Sequence, residues 1–134
     1  MARILLIDDD DFVRGTLSLA LRHFGHTVTE AANGKEGLAR LENDGFDLLI
    51  TDIVMPEMEG LEVLRELRRR HPALKTIAIS GGGLQPGADY LHVAKLMGAT
   101  KVLAKPFTTE VLKAAVNELL LGGEEAAPPS VATQ

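Results

Sequence analysis

The sequence predicts an α/β protein built on a parallel sheet with helices packed on both faces. Short aliphatic runs alternate with stretches of helical periodicity five times in about 120 residues. The strand-like runs are apolar at nearly every position, as in strands covered on both faces, rather than alternating apolar and polar. Ile4-Leu5-Leu6-Ile7 is the first such strand. Residues 11–24 follow as a helix, with Val13, Leu17, Leu21 and Phe24 at helical spacing and Gly25 as the stop. Thr27-Val28-Thr29 is a short β-branched second strand. Asn33 with Glu36 three residues on is a capping-box variant that opens the next helix. Leu38 and Leu41 form its inner face, and Asn43-Asp44-Gly45 ends it.

Asp47-Leu48-Leu49-Ile50-Thr51 is the third strand. A third helix over Glu59–Arg70 turns Leu61, Leu64 and Leu67 inward, and Glu66 can pair with Arg70 for about 0.3 kcal/mol. Three arginines in its last turn suit the negative end of the helix dipole, and Pro72 prevents continuation. Thr76-Ile77-Ala78-Ile79 is the fourth strand, and Tyr90, Val93 and Met97 mark a fourth helix ending at Gly98. Lys101–Ala104 is the fifth strand. Thr108 caps the last helix, Phe107 and Leu112 are placed as a hydrophobic staple, and Leu112, Ala115, Val116 and Leu119 form its buried stripe. Residues 1–121 therefore read as one domain. Residues 122–134, rich in Gly, Glu, Ala and Pro without apolar periodicity, read as a disordered tail.

Composition excludes several functions. The 134 residues are 46% hydrophobic and 25% charged, enough for one core that hides roughly two-thirds of the unfolded surface. A net charge of −5 argues against duplex nucleic acid or an anionic membrane surface as partner. The absence of Cys removes disulfides, thiolate metal sites and a cysteine nucleophile. With no Trp and one Tyr, base-stacking platforms are not expected. Apolar runs are too short to cross a bilayer, and a first strand running straight into aspartates does not resemble a signal peptide. A cytoplasmic location is the expectation.

In sheets of this class ligands sit beyond the carboxyl ends of the strands, where the strand order reverses. Asp8, Asp9, Asp10 and Asp11 follow the first strand and Asp52 follows the third. Adjacent strands lie about 4.8 Å apart, so carboxylates at two strand ends can share one ion. Crowded carboxylates repel unless a cation or proton intervenes, and an all-oxygen donor set suits Mg²⁺. Asp10 and Asp11 read equally well as a solvated loop doubling as a helix cap. Ser80, followed by Gly81-Gly82-Gly83, ends the fourth strand, and Lys105-Pro106 follows the fifth. Acids, a metal, a hydroxyl and one ammonium at a single sheet edge are equipment for handling a phosphoryl group.

These residues resemble the receiver domain of two-component response regulators. The resemblance rests on Ile4-Leu5-Leu6-Ile7-Asp8-Asp9, on Asp47-Leu48-Leu49-Ile50-Thr51-Asp52-Ile53-Val54-Met55-Pro56 with Gly60, on Ser80, and on Lys105-Pro106-Phe107, and it spans residues 2–121. It implies a flavodoxin-like (βα)5 fold with strand order 2-1-3-4-5. It implies that Asp52 accepts the phosphoryl group, and that Asp9, with Asp8, an Asp52 oxygen and the backbone carbonyl of Val54, holds Mg²⁺. It further implies that Ser80 hydrogen-bonds a phosphoryl oxygen, that Lys105 pairs first with Asp52 and then with the phosphoryl group, and that the Lys105-Pro106 bond is cis. The implied donor is a sensor histidine kinase or a histidine phosphotransfer protein, and the output is an unidentified protein target. The chain would act as a regulator that catalyses only its own phosphorylation and dephosphorylation. With a tail too short to fold, it reads as a stand-alone receiver, monomeric or weakly dimeric, whose output surface would include Tyr90, Lys95, Lys101 and Lys113.

The chain also departs from the pattern. Val102 stands where receivers commonly carry an aromatic residue in the fifth strand, and a β-branched side chain cannot make that ring's inward swing. The segment 81–87, with three consecutive glycines and Pro86, is longer than usual and costly to order. It is expected to order on phosphorylation, so amide-exchange protection over 81–90 should rise with a phosphate mimic. Val54 and Gly82 offer no side chain to orient a hydrolytic water, so the acyl phosphate should outlive that of relatives polar at those positions. A half-life of seconds would contradict this.

Other readings fit less well. Gly82 to Gly87 has the glycine spacing of a P-loop, but Ala88-Asp89 stand where Lys and Ser/Thr are required. His23, His26, His71 and His92 lack metal-ligand spacing and read as surface or helix-end residues. A Mg²⁺-dependent phosphohydrolase with an aspartyl-phosphate intermediate would want an acid two residues beyond the nucleophile, where Val54 stands. A receiver-like interaction module that never accepts phosphate would typically have lost the acceptor, the acidic pair or the lysine.

Overall fold

A computed structural model describes residues 2–52, 59–80 and 98–122. The elements in chain order are β1 (Arg3–Ile7), α1 (Asp11–His23), β2 (Thr27–Ala31), α2 (Gly34–Asn43), β3 (Leu48–Asp52), α3 (Glu59–Arg70), β4 (Lys75–Ser80), β5 (Lys101–Ala104) and α4 (Thr109–Gly122). All strand pairs are parallel, and the sheet order is β2-β1-β3-β4-β5, as the sequence predicts. The predicted helix before Gly98, the loop 81–87, Val54, His92, Tyr90, Lys95 and residues 123–134 lie outside the described residues.

Strand alternation divides the core between two faces. Ile4 and Leu6 point to one side with Leu48, Ile50, Ile77 and Ile79, where α1 contributes Leu21 and α4 contributes Leu112, Ala115, Val116 and Leu119. Leu5 and Ile7 point to the other side with Leu49, against Leu41 of α2 and Leu67 of α3. Phe107 packs on the first cluster that includes Leu112, as a staple requires, and Thr108 Oγ1 accepts from Val111 N at 3.1 Å.

Several elements differ by a residue or two from the sequence reading, β1 starting at Arg3 and β4 running from Lys75 to Ser80. β2 runs on to Ala31 because Ile7 continues to pair with it. β3 begins at Leu48, while Asp47 exchanges bonds with Arg3 at the strand entrance, Asp47 N to Arg3 O at 2.8 Å and Arg3 N to Asp47 Oδ2 at 2.9 Å. α1 stops at His23 with Phe24 as its cap residue. Gly25, at φ +101°, and His26 then donate to the carbonyls of Arg22 and Leu21. That left-handed turn is the reason for a glycine there. His26 is more than a surface residue, since its Nδ1 accepts from Ala2 N at 3.1 Å and burial lowers its pKa.

The capping box at α2 closes as expected on one side, Glu36 N donating to Asn33 Oδ1 at 2.8 Å. Its return arm lands one residue early, with Ala32 N donating to Glu36 Oε1 at 2.9 Å. Within the same helix Gly37 lies directly under Ile7, and a methyl group there would overlap Ile7 Cδ1 and Cγ1. Overpacking costs about 1–3 kcal/mol, whereas alanine gains up to about 1 kcal/mol of helix propensity. Gly37→Ala is therefore expected to lower stability by about 1–2 kcal/mol in denaturant unfolding, and no loss would show that Ile7 shifts freely.

Candidate functional site

The topology reverses at β1. The chain leaves β1 for β2 on one side and reaches β3 on the other, which opens a crevice at the carboxyl ends of β1 and β3. Ile7 pairs with Thr51, so the next residues along, Asp8 and Asp52, are neighbours across the crevice. Asp52 is the last residue of β3, one position earlier relative to the strand than expected, and pairs with Ile79 of β4. Asp8 and Asp52 are only 1% and 6% exposed, whereas Asp9 is open to solvent.

One carboxylate oxygen from each of Asp8, Asp9 and Asp52 falls within 4.8 Å of the others. Asp8 Oδ1 accepts from Asp10 N at 2.9 Å, but Asp8 Oδ2 is buried with no hydrogen-bond partner among the described residues. A buried carboxylate oxygen without a donor is costly. Burial, opposed by the Asp10 N–H, and then the charge of Asp52 push the Asp8 carboxyl up to about 6, with Lys105 opposing and Asp9 adding to the rise. An orphaned oxygen, three converging carboxylates and an all-oxygen donor set fit a hard divalent cation such as Mg²⁺.

Lys105 follows β5, two strands away from β3, and its long side chain spans β4. Its Nζ donates to Asp52 Oδ2 at 3.3 Å. The Lys105-Pro106 peptide is cis, as the resemblance implies. Ser80 closes β4 opposite Ala104 of β5, at the same sheet edge.

The remaining aspartates of the run are structural. Asp10 is the N-cap of α1, its Oδ1 accepting from Phe12 N at 2.9 Å and Val13 N at 3.0 Å. Asp11 is exposed and pairs with Arg14 at 2.7 Å. Two of the lysines expected on one output surface have different neighbours. Lys101 pairs with Glu118 at 3.0 Å, while Lys113 sits 5.5 Å from the centroid of the Phe24 ring, at the junction of α1 and α4. Residues 109–113 are the first turn of α4, and that turn faces the end of α1.

Residues 4–117 match the family model for the response regulator receiver domain. The chain belongs to this family. Among curated relatives of this receiver, the response regulator receiver protein CpdR of Brucella abortus is 40% identical over 124 residues, covering 90% of this chain and 98% of CpdR. The sensor kinase CckA of the same organism is 41% identical over 121 residues, but the chain spans only 12% of that protein's length. Among solved structures, the response regulator protein TrrA of Thermotoga maritima, in complex with Mg(2+)-BeF, superimposes with a TM-score of 0.78 at 32% identity, covering 90% of this chain and 100% of that one. The receiver is thus a regulator domain with a flavodoxin-like sheet. None of its described helices is long and apolar enough to cross a membrane.

The structure brings Asp8, Asp9, Asp52 and Lys105 together and sets Ser80 on the same edge. Sequence reasoning missed Arg14, whose side chain is 15% exposed and which binds both the Asp8 carbonyl and Glu30. Its only sequence signal is the spacing of Arg14 from Asp11, and the partner on β2 is invisible without the fold.

Proposed function

We propose that this receiver, residues 1–121, takes a phosphoryl group onto Asp52 from a phosphohistidine of a sensor histidine kinase or a histidine phosphotransfer protein. In this reading Asp8, Asp9 and Asp52 hold Mg²⁺, with the Val54 carbonyl as a further ligand. The observation that supports it is the convergence of three carboxylates on one edge with Lys105 already on Asp52.

An Asp52 oxygen attacks phosphorus, the P–N bond to the imidazole breaks, and the ring nitrogen keeps the electron pair and takes up a proton. Asp52 becomes an acyl phosphate. A carboxylate attacking an anionic group meets repulsion, and Lys105 offsets part of it by moving from the Asp52 oxygen to a phosphoryl oxygen. Asp8 and Asp9 place negative charge where a cation is needed, and bound Mg²⁺ supplies the positive charge that lets anions approach and that absorbs charge on the equatorial oxygens. Ser80 donates to a phosphoryl oxygen. The product adds about −1.5 to −2 charge at the strand ends, which biases the segment after β4.

The signal passes to a protein target, in the cytoplasm, without nucleic acid or membrane contact, and the domain acts as a monomer or weak homodimer. The phosphohydrolase reading lacks its second acid, since Val54 is apolar, and a non-accepting module would typically have lost the acceptor, the acidic pair or the lysine, all of which this chain has. Incubation with acetyl phosphate and Mg²⁺, followed by intact mass, tests the proposal. A single phosphoryl adduct that needs the metal supports it, and an unmodified mass overturns it.

A further inference from the structure

Arg14 lies on the first turns of α1, outside the acidic cluster, and its guanidinium ties three separate pieces of structure together. One terminal N–H donates to the backbone carbonyl of Asp8 at 2.8 Å, Nε donates to Glu30 Oε1 on β2 at 3.1 Å, and the other terminal nitrogen donates to Asp11 Oδ1 at 2.7 Å. The same turn is held by Asp8 N to Ala31 O at 3.1 Å, Asp10 N to Asp8 Oδ1 at 2.9 Å and Arg14 N to Asp10 O at 2.9 Å. The carbonyl that Arg14 grips belongs to the residue whose carboxylate oxygen is buried without a partner among the described residues, and it is joined by one peptide bond to Asp9.

We propose that Arg14 is a positioning residue for divalent-cation binding. Its planar fork, anchored on Glu30, fixes the 8–11 turn so that the Asp8 and Asp9 carboxylates stay directed at Asp52. This rests on the reading that these acids hold Mg²⁺. Only an arginine offers N–H groups on three nitrogens in a fixed plane, so a lysine, whose donors share one nitrogen, cannot reproduce all three contacts.

Coulomb's law and positioning predict opposite signs here. Removing a cation that contacts the Asp8 carbonyl should, by charge alone, tighten Mg²⁺ binding. Loss of a tether on the ligand loop should weaken it, by about 10–100-fold for groups that orient metal ligands. The test is calorimetric titration of Mg²⁺ into the folded wild type, Arg14→Met, which keeps the apolar stem, and Arg14→Lys, which keeps the charge, at pH 8 where Asp8 is ionised. Folding of each variant is checked in EDTA by circular dichroism, so that only folded protein is compared.

The expected result is a Kd raised at least about 10-fold in Arg14→Met and raised, though less, in Arg14→Lys. An unchanged or lower Kd in Arg14→Met would overturn the inference while leaving the metal reading intact. If Arg14→Met does not fold, Arg14→Lys decides alone, and a wild-type Kd in it overturns the inference. Absence of Mg²⁺ binding by the wild type would overturn both the inference and the reading beneath it.

Discussion

Asp52→Asn is expected to lower the rate of phosphoryl transfer to this receiver by at least about 10³-fold, because an amide is not a nucleophile at neutral pH. Asp8 and Asp9 are close enough to compete in principle, since their oxygens fall within 4.8 Å of Asp52. Asp8, however, has its pKa raised, and one of its oxygens is committed to Asp10 N. Lys105 also contacts Asp52 rather than either of them. The measurement is the initial rate of adduct formation from acetyl phosphate, read by intact mass. A residual rate within tenfold of wild type would mean that another residue is the acceptor. Folding is not expected to suffer, because asparagine can still accept the Lys105 hydrogen bond.

The second large effect concerns Asp8. With no divalent cation, its pKa rises from 3.8 unfolded to about 6 folded. The native state therefore holds this proton more tightly than the unfolded chain does. The contribution to stability is complete below about pH 4 and is lost as pH rises through 6. In EDTA, the Asp8-dependent part of the unfolding free energy, read as wild type minus Asp8→Asn, should fall across that window by on the order of 1–3 kcal/mol, because His26, whose pKa burial lowers, acts in the opposite direction in both proteins. Asp8→Asn should raise metal-free stability at pH 7.5 by a similar amount, while weakening Mg²⁺ binding. For the wild type, Mg²⁺ should restore what ionisation costs, about 2.7 kcal/mol at a hundred times Kd, and its affinity should decline as pH drops below 6 because the proton competes. Denaturant titrations at pH 4.5, 6 and 7.5, with EDTA and with Mg²⁺, measure both arms. A metal-free difference between wild type and Asp8→Asn that stays flat or rises with pH over this window would contradict the account.

The sheet was legible because its strands are apolar at almost every position, so Ile4 to Ile7 and Leu48 to Ile50 stand out against any helical period. The order 2-1-3-4-5 came from the resemblance rather than from periodicity, which cannot rank parallel strands. Asp8, Asp52 and Lys105 were legible for a different reason: each closes or follows an apolar run, and a parallel sheet puts all such residues on one edge. Arg14 and His26 were not. Their meaning lies in backbone partners, the Asp8 carbonyl and the Ala2 amide, and backbone groups leave no trace in side-chain pattern. The output surface that the resemblance implies includes both Lys101 and Lys113, since each lies on the last strand or the last helix. The helix phase instead turns Lys113 toward Phe24.

The most direct measurement is the location of the phosphoryl group itself. Borohydride reduces an aspartyl phosphate to homoserine, which peptide mapping places at one position. After treatment with acetyl phosphate and Mg²⁺, homoserine is expected at position 52 and nowhere else, and its yield should vanish in EDTA. Homoserine at position 8 or 9, or a phosphoryl group found on Ser80 instead, would contradict the account.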